Sequence, residues 1–145
     1  MKILILGGCG FVGSNLAFYL KTKYSDYQII AFDNLQRMGT EVNVQRLKDV
    51  NVIFFHGDIR NYEDLYSIDD VDIVINTSAD PSVLSGLYNS PRKLINTNLI
   101  GTINCLEFVK QRNARLIYFS SNRIFPIRPI NDAQYEELET RYQWI

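Results

Sequence analysis

Residues 3–15 read Ile3-Leu4-Ile5-Leu6-Gly7-Gly8-Cys9-Gly10-Phe11-Val12-Gly13-Ser14-Asn15, and this stretch decides the fold. Four aliphatic residues in a row suit a strand that is buried on both faces of a parallel sheet. Gly7, Gly10 and Gly13 follow at every third position, and Val12, Leu16 and Leu20 then recur at helical spacing over 11–23. Strand, glycine turn and helix in that order form the phosphate-binding start of a Rossmann unit. Gly7 permits the tight turn. Gly10 lets backbone approach a pyrophosphate with no side chain between. Gly13 lets the helix pack close to the sheet. The anion belongs at the helix N-terminus, where free N–H groups and the helix dipole favour negative charge.

Reading outward, Gln28 to Asp33 is a second strand, and Asp33 stands twenty residues after Gly13. A carboxylate there accepts hydrogen bonds from the adenosine ribose hydroxyls and repels the extra phosphate of NADP. Arg37, four residues on, could offset that repulsion, so NAD is the favoured cofactor. Residues 41–48 predict a short helix and 52–56 a third strand. Asn61 opens another helix, with Asp64 completing a capping box and Leu65 and Ile68 as its apolar face. Residues 71–76 predict a fourth strand. Helix fills much of 82–111, with a break near Pro91. It carries an apolar stripe of Ile95, Leu99, Ile103, Leu106 and Val109, whose expected place is the core. Residues 116–120 predict a fifth strand.

This alternation predicts an α/β Rossmann-type fold: five parallel strands in the order 3-2-1-4-5, helices on both faces, and a chain that stops before a sixth strand. Residues 124–130 leave little room for helix, and 135–140 are short and acidic. The expected division is a dinucleotide-binding domain over 1–123 and a tail over 124–145 leading toward a missing catalytic and substrate-binding portion.

The 15 basic and 16 acidic residues are dispersed, which argues against nucleic acid or a membrane surface as partner. Cys9 and Cys105 are too few and too far apart for a disulfide scaffold or zinc motif and fit a reducing cytoplasm. The apolar run Ile3 to Leu6 is too short for a signal peptide, and no stretch approaches the roughly 18 apolar residues of a membrane span. His56 is the sole histidine; it reads as a strand-end residue, and no metal site is expected. Beyond it, Asp58 is placed to accept from an adenine amino group, with Ile59 against the ring.

Five segments carry a resemblance: GGCGFVGSN at 7–15, FDN at 32–34, HGDIRN at 56–61, NTNLIGTINCLEF at 96–108 and FSSNRIF at 119–125. On these the chain resembles the extended short-chain dehydrogenase/reductase superfamily, within it the NAD-dependent sugar-nucleotide epimerases and dehydratases. DPSV at 80–83, YNSPRKLINTNLIGTINCLEF at 88–108 and YEELETRYQW at 135–144 are similar to its CDP-tyvelose (CDP-paratose) 2-epimerase branch. The resemblance implies roles. Gly7, Gly10, Phe11 and Val12 wrap the pyrophosphate. Asp33 and Asn34 contact the adenosine ribose, and Asp58 and Ile59 the adenine. Thr77, Ser78 and Ala79 run beneath the cofactor near the nicotinamide ribose, although the family usually has an alanine-rich HAA-type sequence where this chain has Asn76-Thr77-Ser78-Ala79. Asn98 steadies the site. Ser121 contacts the reacting oxygen of the substrate, where a hydroxyl can hold an alcohol while its proton leaves.

The family's general base is the tyrosine of a YxxxK pair. Tyr19 has Lys23 in the fourth place but lies on the first helix, Tyr88 has Arg92, and Tyr118 and Tyr135 have Asn122 and Glu139. The resemblance therefore implies the NAD-binding N-terminal portion of a nucleotide-sugar epimerase, acting on a CDP-hexose in the full enzyme. A dehydratase or reductase of the same superfamily, a non-catalytic dinucleotide-binding module, and one half of a split enzyme stay open. A homodimer or a complementing C-terminal half is the implied protein partner.

Overall fold

The structure is a computed structural model that describes residues 1–82, 84–88, 90–121 and 126–145. Five strands, β1 (Lys2–Leu6), β2 (Gln28–Asp33), β3 (Ile53–His56), β4 (Ile73–Asn76) and β5 (Arg115–Tyr118), form one sheet in the order β3-β2-β1-β4-β5. Every neighbouring pair is parallel, as the alternation of strands and helices predicts. The all-aliphatic β1 takes the centre, and Leu4, Ile5 and Leu6 are wholly buried.

Each face of the sheet has its own core. Helices α1 (Phe11–Lys23) and α2 (Val42–Lys48) bring Ala17 and Leu47 onto Ile3, Ile5, Ile29 and Ala31. On the other face α3 (Tyr62–Tyr66) and the later helix α5 (Gly101–Gln111) bring Leu65, Cys105 and Phe108 onto Leu4, Leu6, Ile30 and Phe32. The parallel pairing leaves all five carboxyl ends on one edge, and the loops there build the site. Among the described residues no helix is long and apolar enough to cross a membrane.

Four sequence expectations need correction. The helix predicted over much of 82–111 starts only at α4 (Arg92–Leu94), continues as a π-helical segment Ile95–Ile100, and ends as α5. Before it, Pro81, Gly86 with φ of 80°, and Pro91 hold the backbone in turns. The stripe predicted for the core faces solvent at Ile95, Leu99, Ile103 and Leu106, while Val109 is partly buried. The inward face is Gly101, Cys105 and Phe108: Gly101 admits the Ile59 side chain, and Cys105 and Phe108 join the buried core. Asn61 forms no side-chain cap; its amide donates to Asp64 Oδ1 at 2.7 Å, and Asp64 Oδ2 accepts from the Asp58 N–H at 2.8 Å. The tail does contain helix, α6 (Ile127–Asp132). Pro126 is its N-cap and Pro129 sits in its first turn, where a missing N–H forfeits no intrahelical bond.

After α6, β6 (Tyr135–Glu137) and β7 (Tyr142–Trp144) make an exposed antiparallel hairpin with Tyr135 packed edge-on to Tyr142. The expected domain boundary at 123/124, with the NRIF end of the 119–125 motif, lies outside the described residues.

The two stripes of the 92–111 rod give opposite expectations for truncation. Phe108→Ala empties a core position and should cost about 3–5 kcal/mol in urea or thermal unfolding, whereas Leu106→Ala on the exposed stripe should stay within about 0.5 kcal/mol.

Candidate functional site

The glycine turn joins β1 to α1 with no room to spare. Gly7 has φ of 72°, and a Cβ on it would lie 2.9 Å from Ser78 Cα. A Cβ on Gly13 would meet the Gly7 carbonyl oxygen at 2.2 Å. Helical bonding begins with the Ser14 N–H donating to Gly10 C=O at 2.9 Å, so the amides of residues 11–13 precede the first intrahelical bond. The first turn of α1 holds no acidic side chain. It is thus a positive helix end with an open backbone approach.

Asp33 closes β2 beside this turn. Its Oδ2 accepts from the Cys9 N–H at 3.0 Å and its Oδ1 from the Leu35 N–H at 2.9 Å. The carboxylate is held by backbone, with lone pairs left over for a ligand's hydroxyls. Burial and the Asp33 charge push the Cys9 thiol up to about 12, so it is a neutral packing residue under the turn.

Asp58, two residues past β3, is the most heavily hydrogen-bonded carboxylate described. Arg60 Nε lies 2.9 and 3.0 Å from its two oxygens, the Arg60 N–H donates to Oδ1 at 2.9 Å, and Asn34 Nδ2 donates to Oδ2 at 2.9 Å. Burial on its own raises the Asp58 pKa, but the bonds from Arg60 and Asn34 prevail and hold it at about 2. Arg60 is raised in turn, chiefly by its hydrogen bonds to Asp58.

The loop after β4 forms the other wall. Thr77 Oγ1 donates to Leu6 C=O at 2.7 Å, fastening the ends of β1 and β4 together. Asn76 Oδ1 accepts from the Ser78 N–H at 3.0 Å and from Ser78 Oγ at 2.7 Å. The Asn98 amide grips the backbone of Asp80 at both atoms, accepting from its N–H at 2.8 Å and donating to its C=O at 3.2 Å. Asp80 Oδ2 then faces Lys93 Nζ at 3.9 Å.

Together these loops enclose a cleft of about 720 Å³ at the carboxyl edge. Of the predicted residues, Gly7, Gly10, Phe11, Val12, Asp33, Asn34, Asp58, Ile59, Thr77, Ser78 and Ala79 all line it. Asn98 stands one layer back, behind Asp80. Ser121 is exposed beyond the end of β5 and is not brought into the lining. Thr40, Asp80, Lys93 and Thr97 line the cleft without having been singled out. Asp80 was within reach of sequence reasoning, since it follows β4 at the ligand edge; Lys93 and Thr97 are brought in by helix packing, which residue order does not display. Tyr19 and Lys23 do meet, Nζ donating to the phenol oxygen at 3.0 Å, but on the exposed surface of α1, outside the cleft. His56 is exposed at the end of β3, edge-on to Phe54. Among the described residues no group of three His, Cys, Asp or Glu is placed to hold a metal ion. A shallower hollow at the opposite edge has Asp70, Asp72, Arg112 and Arg115 in its walls, and Arg112 pairs with Asp70 at 3.7 Å.

The NAD dependent epimerase/dehydratase family matches residues 3–143. The chain is similar to a CDP-paratose 2-epimerase of Salmonella typhi, with 37% identity over 98% of this chain and 42% of that protein. It is also similar to a dTDP-D-glucose 4,6-dehydratase of Dictyostelium discoideum, 33% identical over 90% of this chain and 31% of the other. Among solved structures, a dTDP-glucose 4,6-dehydratase of Bacillus anthracis in complex with NAD superposes with a TM-score of 0.70 at 35% identity, over 83% of this chain and 37% of that one. The chain spans less than half the length of these relatives.

Two outcomes follow from the ionisation of the site. Cys9, and Cys105 pushed up to about 11 by burial with some relief from the Asn76 side chain, should react with a thiol reagent at pH 8 only after unfolding. Because the folded pKa of Asp58 lies below its ordinary 3.8, its stabilising contribution is complete above that pH and is lost as pH falls toward about 2. The stability difference between wild type and Asp58→Asn should shrink over that interval in acid titrations followed by circular dichroism.

Proposed function

The chain belongs to the NAD dependent epimerase/dehydratase family, and from that premise we propose that it is the NAD-holding part of a nucleotide-sugar epimerase of the CDP-tyvelose 2-epimerase kind. The observation that carries this reading is the meeting, in one cleft, of the glycine turn, the acid-free N-terminus of α1 and the backbone-held Asp33 carboxylate. When bound, NAD supplies a hydride acceptor and, once reduced, a hydride donor, with no net redox change over a cycle.

The residues fit such a cofactor. Gly10 offers bare backbone: a Cβ there would already touch the Gly7 carbonyl at 3.2 Å. Gly7, Gly10, Phe11 and Val12 wrap the diphosphate through their main chain. Asp33 takes the ribose hydroxyls, with Asn34 beside it. Ile59 would lie against the adenine, and Asp58 would accept from its amino group. Thr77, Ser78 and Ala79 carry the nicotinamide ribose. The Thr77 and Ser78 hydroxyl protons are already given to Leu6 and Asn76, so toward a ligand both oxygens act as acceptors. Asn98 serves by fixing Asp80, and Ser121 is the residue that holds the substrate hydroxyl.

Residues 1–123 are the cofactor domain in this reading and 124–145 lead into the substrate portion. The substrate is a nucleotide sugar, a CDP-hexose by the similarity to the Salmonella protein. The similarity to dehydratases at 33% and 35% identity favours a second reading, a 4,6-dehydratase using the same cofactor half. The exposed stripe of Ile95, Leu99, Ile103 and Leu106 is where a second copy or a complementing half docks.

Calorimetric titration tests the reading. NAD should bind and NADP should bind more weakly, while Asp33→Ala should weaken NAD by roughly 10- to 100-fold, the worth of a hydrogen bond to a charged group. No heat with either dinucleotide would overturn the proposal. With NAD and a CDP-sugar added, the 145 residues alone should not turn over, because the described cleft presents no tyrosine–lysine pair.

A further inference from the structure

Asn104 belongs to none of the roles above. It lies on α5, half-buried, three residues after Gly101. Its Nδ2 donates to the carbonyl oxygen of Ile59 at 2.9 Å, a contact spanning 45 residues of sequence. Gly101 grips the same residue from the side. A Cβ on Gly101 would stand 2.9 Å from Ile59 Cγ2, so the Ile59 side chain rests in the notch that the glycine leaves. Helix α5 thus holds Ile59 twice, by its side chain and by its carbonyl.

The carbonyl of Ile59 and the N–H of Arg60 belong to one rigid peptide plane. The carbonyl end is held by Asn104. The N–H end donates to Asp58 Oδ1 at 2.9 Å, a local turn in which a carboxylate caps the amide two residues on. Turning the plane moves that N–H and with it the carboxylate. Asn104 is therefore tied to the Asp58 carboxylate through a single peptide and without touching the cleft itself, beside the direct hold of the Arg60 and Asn34 side chains on that carboxylate.

We infer that Asn104 is a positioning residue for recognition of the adenine base, acting on Asp58 through the Ile59–Arg60 peptide; this rests on the proposed binding of NAD with its adenine at Asp58. A residue that only stiffens α5 affects every dinucleotide alike. One that aims Asp58 affects the distinction between a base carrying an amino group and one carrying a carbonyl oxygen in its place.

The test compares NAD with nicotinamide hypoxanthine dinucleotide by calorimetry on the 145-residue chain. Wild type should favour NAD by roughly tenfold, the order expected for one hydrogen bond to a carboxylate. Asn104→Leu, close in volume but without a donor, should bring that ratio to within about twofold, and Asn104→Gln should recover part of it. A wild type that binds neither dinucleotide, or both equally, removes the adenine reading and the inference with it. A wild type that discriminates beside an Asn104→Leu variant that discriminates equally leaves that reading standing and overturns the role of Asn104. If the leucine variant does not fold, the Asn104 side-chain amide resonance of wild type decides. A shift on adding AMP and none on adding nicotinamide mononucleotide supports the inference, and no shift with AMP overturns it.

Discussion

The carboxyl edge of this sheet depends on one close approach, that of the Gly13 backbone to the Gly7 carbonyl oxygen. A single added carbon at Gly13 would stand 2.2 Å from that oxygen and 2.8 Å from the Thr77 hydroxyl. Because the contact is possible, α1 begins directly above the end of β1, and its unpaired amides open into the cleft. Thr77 reaches the carbonyl of Leu6 from β4 across the same point. The Gly8 N–H donates to Phe32 C=O on β2 at 3.0 Å. Three strand ends are drawn to one turn, and Asp33 and Ser78 take their places from it.

This is also why so much of the cleft was legible in residue order. The glycines, the aliphatic β1 and the distance to Asp33 are local features, and a buried parallel strand followed by a glycine turn has few ways to fold. Asp58 and Ile59 follow because a βα unit puts the residues after each strand on the same edge. The first 80 residues were accordingly read nearly to their element ends, the Asn61 cap excepted.

What residue order could not display is which of two compatible faces a helix turns inward. Ile95, Leu99, Ile103 and Leu106 make the longer aliphatic stripe, yet Gly101, Cys105 and Phe108 face inward, Gly101 leaving the notch that admits Ile59 while Cys105 and Phe108 fill the core. The π-helical segment Ile95–Ile100 compounds this by changing the helical phase just before α5. Lys93, Thr97 and the grip of Asn98 on Asp80 all follow from that placement. The tail differs for another reason: residues 124–130 leave little room for helix on residue order, yet Pro126 stands at the N-cap of α6 and Pro129 in its first turn, where a proline gives up nothing.

The acidic side chains of the cleft share a property with consequences beyond geometry. Asp33 is tied to the amides of Cys9 and Leu35, Asp58 to Arg60 and Asn34, and Asp80 to the Ser82 N–H and the Ser85 hydroxyl. Each is anchored by its own chain, so a ligand arriving at this edge meets groups whose rotamers are already chosen. Little side-chain entropy at these three carboxylates is left for it to remove, so the ordering penalty that association carries there should be small.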